Sequence, residues 1–272
     1  MIYRIVVADR VNAAGLALLE KTPDLEVVNV AGDAAGLAAQ LPTAHALLVR
    51  SETRVTADLL EKATALKVIG RAGIGVDTID VAAATRRGIA VLNAPGANTV
   101  SAAEHTLALL LGLVRHIPTA AASMREGKWD RKAFEGRELR RKTLGIVGLG
   151  RIGAHLSQIA RAFGMQVIGH DPFLSEKRAA ELHVELLPLD ELLPRADVLT
   201  LHLPLTDETR NVIDRRRLGL LKPTAVLVNA ARGGLVDEEA LVEALENGTI
   251  AGAAIDVFSK EPLPKDHPLR TA

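Results

Sequence analysis

Thr143-Leu-Gly-Ile-Val-Gly148-Leu-Gly150-Arg-Ile-Gly153 is the stretch that decides the fold. A short apolar run, suited to a buried strand, enters a G-x-G-x-x-G turn. It leaves as a helical pattern with apolar residues at 152, 156, 159, 160 and 163, closed by Gly164. The glycines have separate tasks: Gly148 permits a sharp turn, Gly150 lets the backbone approach a pyrophosphate, and Gly153 lets the helix pack on the strand. Amides at such a helix start, with the positive end of its dipole, hold phosphates. Glycine-rich turns are common, so the next strand pattern matters more. Gln166–His170 ends in Asp171, 18 residues past Gly153, where a carboxylate accepts from ribose hydroxyls and repels a 2′-phosphate. The cofactor this predicts is NAD, in preference to NADP.

Outward from this turn, short apolar strands alternate with helical patterns along the whole chain. Tyr3–Val7, Ala46–Val49, Lys67–Ile69 and Ile89–Leu92 read as strands, with helices around 12–21, 56–65 and 78–87. Strands apolar on both faces and separated by helices imply parallel sheets covered on both sides, an α/β class. Asn93-Ala-Pro-Gly-Ala-Asn98 is punctuated by Pro95 and Gly96 and marks a boundary. Ser101-x-x-Glu104 after it reads as a capping box, and Pro118 as the break between that helix and another ending near Gly127. Two doubly wound parallel-sheet lobes follow, 1–97 and 98–272, hinged near Pro95.

Composition narrows the function. Thirty-three basic residues balance thirty-three acidic ones, so no whole-protein field draws in nucleic acid or an anionic membrane. Aromatics at 2% are too few for a base-stacking platform, and the absence of cysteine excludes thiol nucleophiles and cysteine zinc sites. The basic runs Arg137–Lys142 and Arg215–Arg217 have acidic neighbours and read as solvated faces. Leu107–Val114 is the most apolar stretch and falls short of the roughly 20 residues a membrane span needs. With no signal-peptide pattern at its start, the chain reads as soluble and cytoplasmic, with no nucleic-acid or membrane partner. No clustered ligands for a metal stand out.

Two further strand patterns, Thr224–Asn229 and Ile250–Asp256, carry chemistry just beyond their ends. Ligands of open parallel sheets bind outside the carboxyl ends of strands, which puts Arg232, Asp256 and Glu261 on the dinucleotide's side. A guanidinium flanked by small residues, as in Ala230-Ala-Arg-Gly-Gly234, can make two parallel bonds to a carboxylate. None of the eight histidines stands in a comparable arrangement; His105, His170, His202 and His267 read as structural.

VRSETRVTADLL, GRAGIGVD, GLGRIG, HDP, NAARGGLVDE and AGAAIDVFSKEP together resemble the D-isomer-specific 2-hydroxyacid dehydrogenases. The likeness runs collinearly along the whole chain. It implies a flavodoxin-like substrate lobe and a Rossmann NAD-binding lobe, with hydride transfer between NAD and a small phosphorylated 2-hydroxy acid. A reductase of glyoxylate or hydroxypyruvate is the alternative, and a non-catalytic NAD-sensing module the rival.

Position by position, the resemblance implies that Arg232 binds the substrate carboxylate and that Glu261 orients a catalytic histidine. Asp256 then sits by the nicotinamide. Gly148, Gly150, Arg151, Ile152, Gly153 and Asp171 hold the rest of the dinucleotide, with Leu203, Pro204 and Ala230 lining its groove. Arg50, Ser51, Gly73, Ile74 and Gly75 meet the substrate. Closure of the lobes about the Pro95 region would exclude water. A homo-oligomer is expected through residues 98–142, with Trp129 and Phe134 as anchors. In the family the histidine follows in a P-H-x-G segment and the chain then returns to the first lobe. Here the sequence ends at Ala272, 11 residues after Glu261. The expectation is that both lobes are incomplete and that residues beyond 272 supply the base.

Overall fold

In the computed structural model, which describes residues 2–272, the chain divides into two compact units, Met1–Asn98 and Thr99–Ala272. The first unit has five strands: β1 (Tyr3–Val7), β2 (Leu25–Asn29), β3 (Ala46–Val49), β4 (Val68–Arg71) and β5 (Ala90–Asn93). All its pairings are parallel, in the order β2-β1-β3-β4-β5, which is the flavodoxin-like order. Val6, Leu47, Val49, Leu60 and Ile69 fill its core.

The second unit contributes β6 (Thr143–Val147), β7 (Gln166–His170), β8 (Glu185–Leu186), β9 (Val198–Leu201), β10 (Val226–Asn229) and β11 (Gly252–Ile255). Its sheet is also parallel, ordered β11-β10-β9-β6-β7-β8. Counted from the unit's own first strand this is 3-2-1-4-5-6, the Rossmann order, with its direction reversing between β6 and β9. At that switch Leu144 lies opposite Val167 on one side and Val198 on the other. In the first unit the reversal falls between β1 and β3.

Most helices start where a short polar side chain satisfies a first-turn amide: Thr56, Asp80, Ser175 and Asp237 all cap in this way. The helix Thr99–Val114 starts earlier than the capping box suggests, so Ser101 lies inside its first turn and not before it. The next helix, Ile117–Arg125, has Pro118 in its first turn, where a missing N–H costs nothing. The strands β2, β8 and β9 escape the sequence pattern. β8 has only two residues, β2 is a half-exposed edge, and the four residues of β9 include a polar Thr200 that is buried. Among the described residues, no single helix is long and apolar enough to cross a membrane.

Candidate active site

The glycine turn sits at the switch point of the second sheet. The amide of Gly148 donates to His170 O at 2.9 Å and that of Leu149 to Asp171 Oδ2 at 2.9 Å, so the end of β7 holds the turn after β6. Gly148 has φ +93°, and a Cβ there would crowd the carbonyl of His202 at 2.6 Å. A Cβ on Gly153 would land on the carbonyl oxygen of Gly148. Glycine is therefore required at 148 by the backbone that follows β9, and at 153 by the packing of the helix on the turn. Gly150 has open space where a Cβ would be, and it begins the helix Arg151–Ala162 without any capping side chain. A turn with clear space and a side-chain-free helix start fits a pyrophosphate.

Asp171 accepts from Leu149 through one oxygen and from Phe173 N at 2.9 Å through the other. A carboxylate offers about four acceptor positions, so it can brace the turn and still accept from ribose hydroxyls. Sequence spacing identified the residue but not this bracing. Opposite the turn, β9 is followed by His202, whose amide donates to Val147 O at 2.8 Å, and then by Leu203 and Pro204. The His202 ring pairs through Nε2 with the hydroxyl of the buried Thr200 at 3.1 Å, and burial pushes its pKa down to about 4. The ring is neutral at ordinary pH.

Arg232 stands in the loop after β10. That loop is shaped by Asn229, only 2% exposed, which donates through Nδ2 to Arg232 O at 3.0 Å and accepts from Ala231 N at 3.1 Å. The Arg232 guanidinium donates to Ala231 O at 2.6 Å. A Cβ on Gly233 would fall on the backbone of Phe258, so this loop is pressed against the one after β11. That second loop carries Asp256 and Glu261. Glu261 Oε1 accepts from Phe258 N at 3.0 Å and Glu238 Oε1 from Ser259 N at 2.6 Å.

The carboxylate partner of His267 is Glu238. The ring's Nε2 meets Glu238 Oε2 at 3.2 Å while Nδ1 accepts from Leu269 N, so both ring nitrogens are engaged in holding the loop. His105 does more than a buried structural residue would. It is half exposed, and its Nε2 lies 3.2 Å from Asp256 Oδ2. The basic run Arg215–Arg217 is spent on ion pairs with Glu243 and Asp190, and hydrogen bonds from Arg216 and then Arg217 hold Asp190 down to about 2.

In the first unit, Asp9 was missed by sequence reading. It follows β1, is 1% exposed, and accepts from the amides of Arg50 and Thr53 and from the Thr53 hydroxyl. The loop bearing Arg50 and Ser51 is thus fixed at this sheet's own switch point. Arg50 also donates through its guanidinium to Arg10 O. The signal was present in retrospect: an acidic residue straight after a buried strand, where only a built hydrogen-bond set makes burial affordable. Of the three glycine-loop amides expected to meet substrate, that of Gly73 is taken by Arg71 O at 2.8 Å; the amides of Ile74 and Gly75 stay outside this network. Asn93 Nδ2 donates to Ile74 O at 2.8 Å and steadies that loop.

A glycine turn at a Rossmann switch point, with an arginine loop and two carboxylates at neighbouring strand ends, defines a dinucleotide-binding oxidoreductase. Residues 107–272 match the family described as D-isomer specific 2-hydroxyacid dehydrogenase, NAD binding domain. The chain belongs to this family, and its second unit carries the NAD-binding domain. It is 50% identical to D-3-phosphoglycerate dehydrogenase of Methanocaldococcus jannaschii, over 98% of this chain and 51% of that protein. To the Bacillus subtilis protein of the same name it is 49% identical, over 98% and 51% respectively. The chain spans about half the length of the curated relatives it matches. Among solved structures, the TT0316 protein from Thermus thermophilus matches with TM-score 0.90 and 41% identity, covering 98% of this chain and 86% of that one. A glyoxylate reductase from Paecilomyes thermophila matches with 0.87 and 32%, covering 98% and 85%. An NAD-dependent formate dehydrogenase from Staphylococcus aureus, solved with NAD, matches with 0.86 and 33%, again covering 98% and 85%.

Proposed function

We propose that this chain is the dehydrogenase part of an NAD-dependent D-3-phosphoglycerate dehydrogenase, interconverting D-3-phosphoglycerate and 3-phosphohydroxypyruvate in the first step of serine biosynthesis. The observation that carries the reading is identity of about half over nearly the whole chain to proteins of that name. When bound, NAD accepts the hydride from the carbon bearing the hydroxyl. Gly148, Gly150 and Gly153 admit the pyrophosphate to the start of the helix Arg151–Ala162, with Arg151 and Ile152 covering it. Asp171 accepts from the ribose hydroxyls and disfavours a 2′-phosphate. Leu203, Pro204 and Ala230 line the groove.

Arg232 clamps the substrate carboxylate through two parallel hydrogen bonds, its loop held by Asn229 so that little is lost to ordering. Glu261 spends one oxygen on Phe258 N and keeps the other for the imidazole that takes the hydroxyl proton. A carboxylate so placed favours the charged ring that results. Asp256 faces the nicotinamide. In the first unit, Arg50 and Ser51 meet the substrate, with the amides of Ile74 and Gly75 for an anionic group. A homo-oligomer through residues 98–142 is supported by Ile117, Met124 and Trp129, all more than half exposed. Reduction of glyoxylate or hydroxypyruvate is the second reading, favoured by the likeness to a glyoxylate reductase.

The test is NADH oxidation with 3-phosphohydroxypyruvate, hydroxypyruvate and glyoxylate side by side, by a protein in which this chain is followed by the histidine segment that the family resemblance implies. The phosphorylated acid is expected to be used best, and preference for glyoxylate would favour the second reading. Arg232→Ala should abolish turnover with NADH affinity unchanged; undiminished turnover in that variant refutes the role given to Arg232.

A further inference from the structure

Asp256 directly follows β11, and the helix Thr99–Val114 packs over that strand in the opposite direction. A Cβ on Gly252, at the start of β11, would meet Leu113 at 3.4 Å, whereas His105 reaches Asp256 just past the strand's end. The spacings agree. Eight helical residues rise about 12 Å and four strand residues span about 13 Å, so residues 113 and 105 fall over 252 and 256. The contact between His105 Nε2 and Asp256 Oδ2, 3.2 Å, therefore follows from how helix and strand are stacked.

An aspartate that is half exposed and has no donor can turn away into water. One held by an imidazole N–H keeps its carboxylate at a fixed place, as partners of ligating groups do elsewhere. We infer that His105 is a positioning residue for Asp256, holding its carboxylate at the nicotinamide so that the site distinguishes the oxidised from the reduced cofactor. The inference rests on the placing of Asp256 in the proposed function. The oxidised ring carries a positive charge and the reduced ring does not, so a fixed carboxylate beside it favours NAD⁺ over NADH. A carboxylate free to swing out discriminates less.

The experiment measures NAD⁺ and NADH affinities of the 272-residue chain at one fixed pH. His105→Leu removes the donor, and His105→Gln puts an amide N–H near the place of Nε2. His105→Leu is expected to reduce the preference for NAD⁺ by about threefold or more, toward the level of Asp256→Asn, with His105→Gln staying within about twofold of wild type. In the Asp256→Asn background, His105→Leu should change nothing further. Equal weakening of both nucleotides by His105→Leu, or no change, overturns the inference and leaves His105 a packing residue. If Asp256→Asn leaves the preference unchanged while Gly153→Ala abolishes binding, the placing of Asp256 is wrong and the inference falls with it. If the wild-type chain binds neither nucleotide, the cofactor reading itself fails.

Discussion

Lowering the pH from 7 to 5 should weaken the second unit through one residue, His202. Its ring lies at the end of β9 beside the glycine turn, paired with the hydroxyl of Thr200, and burial holds its pKa at about 4 against an ordinary 6.5. The unfolded chain therefore takes up a proton there before the folded chain does. The stability conferred by the neutral ring is complete above pH 6.5 and drains away as pH falls toward 4. Linkage between those two values gives a loss of about 2 kcal/mol between pH 7 and pH 5. Other groups titrate over the same range, so the effect is read as a difference. Urea unfolding of wild type and His202→Gln is compared at both pH values. The variant lacks the titrating ring, and the gap between the two proteins should shrink or invert by about 2 kcal/mol at pH 5. A gap equal at both pH values, within about 0.5 kcal/mol, would refute the claim that the fold keeps this ring neutral.

Asp9→Ala leaves the two amides and the hydroxyl that it satisfies without a partner in a buried place. It should cost about 2–3 kcal/mol in urea unfolding and raise KM for substrate, because the Arg50 loop loses its anchor. Asp9→Asn can accept both amides through its carbonyl and donate to Thr53, so it should cost much less; equal damage from both variants would point to the charge and not the hydrogen bonds. Gly153→Ala puts a methyl on the Gly148 carbonyl, and should cost about 1–3 kcal/mol of stability and at least about tenfold in NADH affinity by titration of NADH fluorescence. Gly233→Ala should uncouple the Arg232 loop from the loop at Phe258, lowering turnover at saturating NADH while NADH affinity holds.

What could be read from sequence was what a single strand–turn–helix carries in its own residues. The G-x-G-x-x-G turn, Asp171 and the arginine loop all announce themselves locally, and β1, β3, β6 and β7 have the bounds their apolar runs suggest. Features that depend on two distant segments stayed hidden. Asp9 reads as a strand-end residue until the loop at 50–53 folds over it, 41 and 44 residues away for the two amides. Asn229 reads as the last strand residue until the following loop turns back on it. His105 faces Asp256 only because a helix runs against a strand about 150 residues later, which no local pattern encodes. The capping box was misplaced as well. That helix starts at Thr99, two residues before the serine that local chemistry offered as its start.

The glycine turn and Asp171 are proposed to hold NAD in the second unit and to exclude NADP. Titrating the chain with NADH and with NADPH, and repeating both with Asp171→Ala, tests this directly. NADH should bind at least about tenfold more tightly than NADPH, and Asp171→Ala should erase most of that preference. NADPH bound as tightly as NADH by the wild-type chain, or a preference that survives loss of the Asp171 carboxylate, would rule out this role for Asp171.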